Sequence, residues 1–417
     1  MTGISGATHL AVGFSKGLMS DFDRCLPAGS VAVVEEPDVI GARRVAERLA
    51  AHPSTAVLVP APIHAEADPD GVIAALARVG GIKAVIPAVE YGVVAAAAVA
   101  AHRGLPGAGL TAARVLRDKV ELRTRADAAG LPQPRWREAE SPDDVAAFLG
   151  AAGRCVLKPA NRQASLGVVI LAPGDDVAAA WSQASTVSEP RMRAERGTPR
   201  RHLVEEYLAG PEISAEALVD SGEVVFTNVT AKTVLPGPWP VELGHVVPAP
   251  LPDRVADDIS DLMGALAEAV GFGTGVLHAE WILLDGHRPH LVECAGRLPG
   301  DSIDELIDLA YGGSIAADFI ALLEGSRPAR PRIPARAAAI RFLSGDDGVV
   351  ERIDGLDEAV LGEGVHEAVV SAVPGDVLRR PTSSWDRVGH VIATGQDAQA
   401  ALDRVRQAAA RIDVVVR

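Results

Sequence analysis

The chain has 417 residues, 48% of them apolar, and a formal net charge of −15. That length exceeds what one hydrophobic core supports, so two or three packed units are expected. The acidic balance, with no basic block beyond short arginine clusters, argues against nucleic acid or an anionic membrane as partner.

Three cysteines, Cys25, Cys155 and Cys294, are scattered and odd in number. Their spacing fits neither zinc nor a disulfide framework. Cys155 and Cys294 stand in apolar strands and read as buried thiols. The chain shows no charged-then-apolar leader, and the apolar run 95–101 is too short to span a membrane. The expected compartment is the reducing cytoplasm.

Residues 1–110 alternate strand-like runs (10–12, 31–34, 56–59, 84–86) with helical patterns (41–51, 71–79, 93–102). Such alternation predicts an α/β unit with a doubly wound parallel sheet. The loop Gly-Phe-Ser-Lys-Gly at 13–17 lacks both the dinucleotide and the Walker spacing, and is expected to border a substrate cleft. Thr111 is placed to cap one helix running to Gly130, with Lys119 on it. A small α+β lobe is expected to complete residues 111–202, ending in a polar connection at 188–201. A larger lobe is expected at 203–325. Within it the proline-rich stretch 228–252 reads as a functional loop holding Glu242 and His245. A stiff proline connector follows at 325–334. Residues 335–417 read as a compact β-rich domain, with strands at 337–343, 365–370 and 390–393, a helix at 397–410 and no evident chemistry.

Two stretches concentrate the chemistry. Gly-Val-Leu-His-Ala-Glu-Trp at 275–281 and Leu-Val-Glu-Cys-Ala-Gly-Arg-Leu-Pro-Gly at 291–300 each interrupt an apolar strand with one acid. Asp285-Gly286 between them is a hairpin signal. A hairpin lets Glu280 and Glu293 face one ligand, and paired carboxylates suit Mg²⁺. Arg297 suits an anionic group held there. Upstream, a strand ends at Lys158 and runs into the loop 160–167, an arrangement able to clamp phosphates through its ammonium and loop N–H groups. The strand ending in Glu205, Glu206 and Tyr207 can offer backbone groups to a purine. Glu212 reads either as a ribose ligand or as an edge-strand charge.

The ordered set Lys119, Lys158 to Gly167, Glu205 to Leu208, Glu212, Glu280, Glu293 and Arg297 resembles the ATP-grasp superfamily of carboxylate–amine ligases. The resemblance implies an ATP-grasp fold: an N-terminal α/β domain, two α+β lobes clasping ATP, and a small C-terminal β-rich domain. It implies ATP and Mg²⁺ as cofactors, with Mn²⁺ as an alternative ion. Lys119, Lys158, Ser165 and Gly167 would hold the phosphates. Glu205 and Leu208 would meet adenine through the backbone, Glu212 would hold ribose, and Glu280 and Glu293 would bind the metal. Homodimers are common among such proteins.

Two departures stand out. Ala164 occupies a loop position where the family often has glycine. Ala295 replaces the asparagine of the common Glu-x-Asn-x-Arg metal motif, and water can fill a lost position at Mg²⁺. The form Glu-x-x-x-Arg-Leu-Pro-Gly resembles instead the L-amino-acid ligase (dipeptide synthetase) branch. So does the pair Glu242 and His245, which that branch uses around its amino-acid site.

These residues imply an enzyme that activates an amino-acid carboxylate as an acylphosphate and couples it to an amine. Arg297 would hold the carboxylate. Glu242 and His245 suit either recognition of the ammonium or deprotonation of the amine. His278, on the strand face of Glu280, either touches phosphate or packs. Asp301, just after Gly300 of the substrate turn, either binds a substrate cation or caps the following helix. Trp239 and Trp281 are placed to wall a pocket or pack in the core. Two other readings share the fold: a ligase or carboxylase with another acceptor, and a silent nucleotide-binding sensor or scaffold. Retention of Arg297 argues against silence.

Overall fold

The computed structural model describes residues 6–189, 192, 194, 200–235, 241–381 and 383–417. The first sheet holds β1 (His9–Val12), β2 (Val31–Glu35), β3 (Thr55–Pro60) and β4 (Ala84–Pro87), all parallel in the order β3-β2-β1-β4. β1 and β2 are buried at every position. That matches their uninterrupted apolar runs and a sheet covered on both faces. The order reverses between β1 and β4, and ligands gather at such a switch point, outside the strands' carboxyl ends. The loop after β1 lies there, and Ser15 caps the helix Lys16–Cys25.

Two helices differ from expectation. The pattern at 41–51 is two short helices, Pro37–Ala42 and Val45–Leu49, parted by Arg44 at φ +53°. The helix expected from Thr111 to Gly130 is also two, Leu110–Arg117 and Lys119–Ala128. Asp118 breaks it: its backbone is extended and its carboxylate accepts from the N–H groups of Val120 at 2.9 Å and Glu121 at 3.4 Å. Thr111 caps neither: the first helix starts after Gly109 and contains it, Asp118 caps the second, and Lys119 opens that helix, where it reaches the cleft.

The small lobe's sheet holds β5 (Trp136–Ala139), β6 (Cys155–Pro159), β7 (Val169–Leu171) and β8 (His202–Glu206), antiparallel in the order β5-β8-β6-β7. β8 belongs to this lobe, so the boundary expected at 202/203 moves to the turn after Glu206.

The large lobe contributes β9 (Glu212–Asp220), β10 (Glu223–Val234), β11 (Glu242–Val247), β12 (Gly275–Leu284) and β13 (Arg288–Ala295). The C-terminal part adds β14 (Ala337–Ser344), β15 (Gly348–Asp354), β16 (Val365–Val370), β17 (Val377–Leu378), β18 (Arg387–Gly395) and β19 (Asp413–Val416). Among the described residues one eight-stranded sheet runs β13-β12-β9-β10-β11-β14-β18-β16, and a three-stranded one runs β17-β15-β19. Two expectations change here. The stretch read as a loop at 228–252 is mostly strand, the end of β10 and all of β11. The C-terminal part does not stand apart, because β14 pairs with β11 and continues the large lobe's sheet. β-branched residues outweighed the prolines that suggested a loop.

The main sheet alternates as a half-buried sheet must. Ile213, Ala215, Leu277, Ala279 and Trp281 pack into one core with the helix Asp253–Val270. The opposite face carries Glu212, Ser214 and Glu216 on β9, Thr230 and Lys232 on β10, and His278 and Glu280 on β12. Cys155 and Cys294 are buried thiols, as expected. Among the described residues, no single helix is long and apolar enough to cross a membrane.

Candidate active site

The hairpin forms as expected, with Asp285 at φ +54° and Gly286 at φ +76° in its turn. Glu280 and Glu293 are direct register partners, and the register shifts just after them, so that Trp281 faces Leu291 and Val292 is skipped. Such a bulge beside a site re-aims side chains. It turns Val292 and Glu293 together toward a cleft of about 500 Å³. A neighbouring cavity of about 390 Å³ lies toward the N-terminal sheet. Lys119, Lys232, Glu242, Glu280 and Glu293 line both spaces, and so form the wall between them.

The larger space is framed by the two lobes. Lys119 Nζ lies 3.0 Å from Glu293 and donates to the carbonyl of Arg162 at 2.8 Å. Lys158 is 4% exposed and paired with Glu205, and burial lowers its pKa. Glu205 does not offer a free main chain to a ligand. It stands in the central strand β8, opposite Trp136 and Val156, and its carboxylate binds Lys158 and Arg123. Leu208, past the strand end, does line the cleft. Arg123 also donates to the carbonyls of Leu291 at 2.9 Å and the bulged Val292 at 2.8 Å. One buried guanidinium thus ties the small lobe to the Glu280–Glu293 hairpin.

The loop after β6 holds Ala164 at φ +54°, Ser165 at φ +57° and Gly167 at φ +76°. A Cβ on Gly167 would come within 2.8 Å of Pro159. Ala164 adopts the left-handed conformation that suits the glycine it replaces.

At the shared wall, Lys232 Nζ lies 2.5 Å from Glu280, 2.7 Å from Glu242 and 3.6 Å from Glu212. Against burial, these acids hold its pKa well above the usual lysine range. Burial pushes Glu212 up to about 7, and the charges of Glu280, Glu242 and Glu293 push the same way against Lys232. β9 is an interior strand, which removes the edge-strand reading of Glu212. His278 bonds Glu216 at 3.0 Å and lies 3.7 Å from Glu280; against burial, these acids lift it to about 9. Its ring is thus held between two acids.

On the substrate side, Arg297 Nε lies 2.7 Å from Glu90 Oε2, and Arg117 Nη1 lies 2.6 Å from Glu90 Oε1. Against burial, Arg117 and Arg297 hold Glu90 down at about 2. Gly300 lines this cavity, and a Cβ there would meet nothing within 4 Å. Asp301 is not the helix cap. It stands at φ +60°, and Arg387 grips it with bonds of 2.8 and 2.6 Å. Phe14 and Lys16 of the first loop line the cavity, as that loop's reading anticipated. So do Ser384, Trp385 and Arg387, which puts chemistry in the C-terminal part where none was expected. Trp281 is fully buried core. Trp239 lies outside the described residues.

Glu90, Arg117, Arg123, Lys232 and Arg387 are the residues that sequence reasoning missed. The donor set fits Mg²⁺ and ATP. Oxygen ligands face the cleft from two adjacent strands, and ammonium groups stand on two sides. Burial first and then the nearby acids raise Glu212, and a divalent ion relieves such crowding.

A family model described as an ATP-grasp domain matches residues 152–305, and one described as L-amino acid ligase C-terminal domain 2 matches residues 341–417. The phosphoribosylamine–glycine ligase of Streptomyces coelicolor is 30% identical over 366 residues, covering 82% of this chain and 83% of that protein. The alanine–anticapsin ligase of Bacillus subtilis (strain 168) is 24% identical over 230 residues, spanning 51% of this chain and 48% of that one. The crystal structure of an L-amino acid ligase from Bacillus licheniformis superposes with a TM-score of 0.76 at 18% identity, covering 99% of both chains. The cleft, its paired acids and these matches agree, and the chain belongs to the ATP-grasp superfamily of ATP- and Mg²⁺-dependent ligases.

Proposed function

We propose that this ligase activates an amino-acid carboxylate as an acylphosphate and couples it to an amine, often a second amino acid, releasing ADP and phosphate. The observation that carries this reading is the shared wall. Glu280 and Glu293 stand between a nucleotide-sized cleft and a cavity holding Arg297.

Lys119, Lys158 and the N–H groups around Ser165 and Gly167 hold the phosphates, with Leu208 at the adenine and Glu212 at the ribose. Glu280 and Glu293 would hold Mg²⁺, which when bound would supply positive charge for the phosphoryl group. Lys232, at the wall, adds a fixed positive charge where phosphate and carboxylate meet. Arg297 presents the carboxylate, and Glu90 behind it keeps the guanidinium aimed. Glu242 and His245 receive the amine, which attacks the acyl carbon as phosphate leaves.

The test is ADP and phosphate release with Mg·ATP against a matrix of carboxylates and amines, with mass spectrometry of the products. A pair-dependent signal with a condensed mass supports the ligase. Release with one carboxylate alone indicates slow acylphosphate hydrolysis without its acceptor. Silence across the matrix, with ATP still bound, sinks the amino-acid reading. The relative at 30% identity favours a second reading, an amine carried on a phosphosugar. The matrix therefore includes glycine with phosphoribosylamine.

A further inference from the structure

One buried group beside the substrate cavity, behind Glu242 and Asp301 of its wall, has no hydrogen-bond partner. His245 is 1% exposed, and neither ring nitrogen has a hydrogen-bond partner among the described residues. Its Nε2 lies 3.6 Å from a carboxylate oxygen of Asp301 and 3.8 Å from one of Glu242. Both separations are too long for hydrogen bonds. They approximate the spacing of two ligands on one ion, roughly 3.4 Å for bonds of about 2.1 Å in a tetrahedral shell. An ammonium bonding the imidazole and either acid at about 2.8 Å would need those two N–H directions squeezed well inside the tetrahedral angle.

Both acids are held in place from behind. Glu242 gives its other oxygen to Lys232 at 2.7 Å, and Arg387 grips Asp301 with bonds of 2.8 and 2.6 Å. Phe342 packs edge-on against the imidazole, with centroids 5.6 Å apart. Outer contacts of this kind fix ligand direction. Glu242 and Asp301 line the cavity, so an ion can enter and keep open positions.

We propose that Glu242, His245 and Asp301 form a second cation site, separate from the Glu280–Glu293 pair, that takes a divalent transition ion such as Zn²⁺ or Co²⁺. The imidazole sets the selectivity, because nitrogen ligands favour these ions over Mg²⁺. The site shares Glu242 and His245 with the acceptor amine, so ion and amine exclude each other. This last clause alone rests on the ligase reading.

The test titrates Co²⁺ into the full chain without Mg²⁺ or nucleotide. It reads visible absorption of the low-coordinate ion and paramagnetic shifts of histidine ring protons. One ion should bind, with affinity falling at least about tenfold in His245→Ala and in Asp301→Asn. Glu293→Gln should leave it unchanged, and Zn²⁺ should displace the signal where Mg²⁺ does not. If His245→Ala does not fold by circular dichroism, Asp301→Asn decides. Absence of Co²⁺ binding overturns the site, as does binding that survives both variants or is abolished by Glu293→Gln. None of these outcomes needs turnover, so they stand apart from the choice of substrates. Once an amine substrate is known, Zn²⁺ inhibition should be competitive with it. Inhibition indifferent to the amine overturns the exclusion.

Discussion

Glu90 lies 2.7 Å from the Nε of Arg297 and is itself buried, so the substrate cavity's guanidinium is braced by an acid largely shielded from solvent. Arg297→Ala should lower turnover by about 10²–10³-fold, the cost of removing one preorganised donor from developing charge. Mg·ATP binding should be untouched. Arg297→Lys should recover little, since an ammonium lacks the planar fork. Glu90→Gln should act mainly on KM for the carboxylate. Steady-state kinetics with calorimetric ATP binding check all three, and loss of ATP binding in Arg297→Ala would refute the assignment.

Lys232 is the counter-charge for three acids, and removing it should be felt before any chemistry. Lys232→Met leaves three half-buried carboxylates without their shared ammonium and should cost up to about 3 kcal/mol of stability. Mg²⁺ should then raise the melting temperature more in the variant than in the wild type. Thermal melts with and without Mg²⁺ measure this, and equal shifts would count against a shared ion site.

Ala164 sits in a backbone conformation that disfavours a side chain by about 1–2 kcal/mol. Ala164→Gly should recover part of that in thermal stability and leave the loop's fold intact. Ala164→Val should destabilise by more. A melting temperature lowered by the glycine would show that loop entropy outweighs the strain.

An acidic cluster predicts the pH response of the folded state. Burial raises Asp21 to about 6, Asp304 to about 7 and Asp308 to about 6. Unfolded aspartates titrate at about 3.9, so the folded chain binds more protons between about pH 4 and pH 7. Their contribution is therefore present below about pH 4 and is lost as pH rises through about 6–7. Melting temperature should climb by a few degrees from about pH 8 to about pH 6, and Asp304→Asn should flatten that slope. A flat wild-type profile would contradict it.

The pairing of Glu280 with Glu293 was legible because its information is local: two strands, one tight turn and a shared face. Lys158 and its loop were legible for the same reason. Glu90 was not, since it meets Arg297 across 207 residues of chain. Arg123, Lys232 and Arg387 likewise look like ordinary surface cations until the sheets bring them inward. In β11, β-branched Val246 and Val247 lie among prolines, and the prolines gave the more audible signal. Thr111 misled because threonine suits a cap, yet it lies inside a helix that begins after Gly109, and the cap that matters is Asp118 seven residues on.

The unbroken hydrogen-bonded ladder from β11 into β14 has a consequence for how such proteins can be recombined. A chain cut after residue 334 would leave β11 as a bare edge, open to pairing with other chains. It would also lose Trp385 and Arg387 from the cavity wall. Exchanging the last eighty or so residues between relatives therefore grafts part of the pocket together with the seam that carries it.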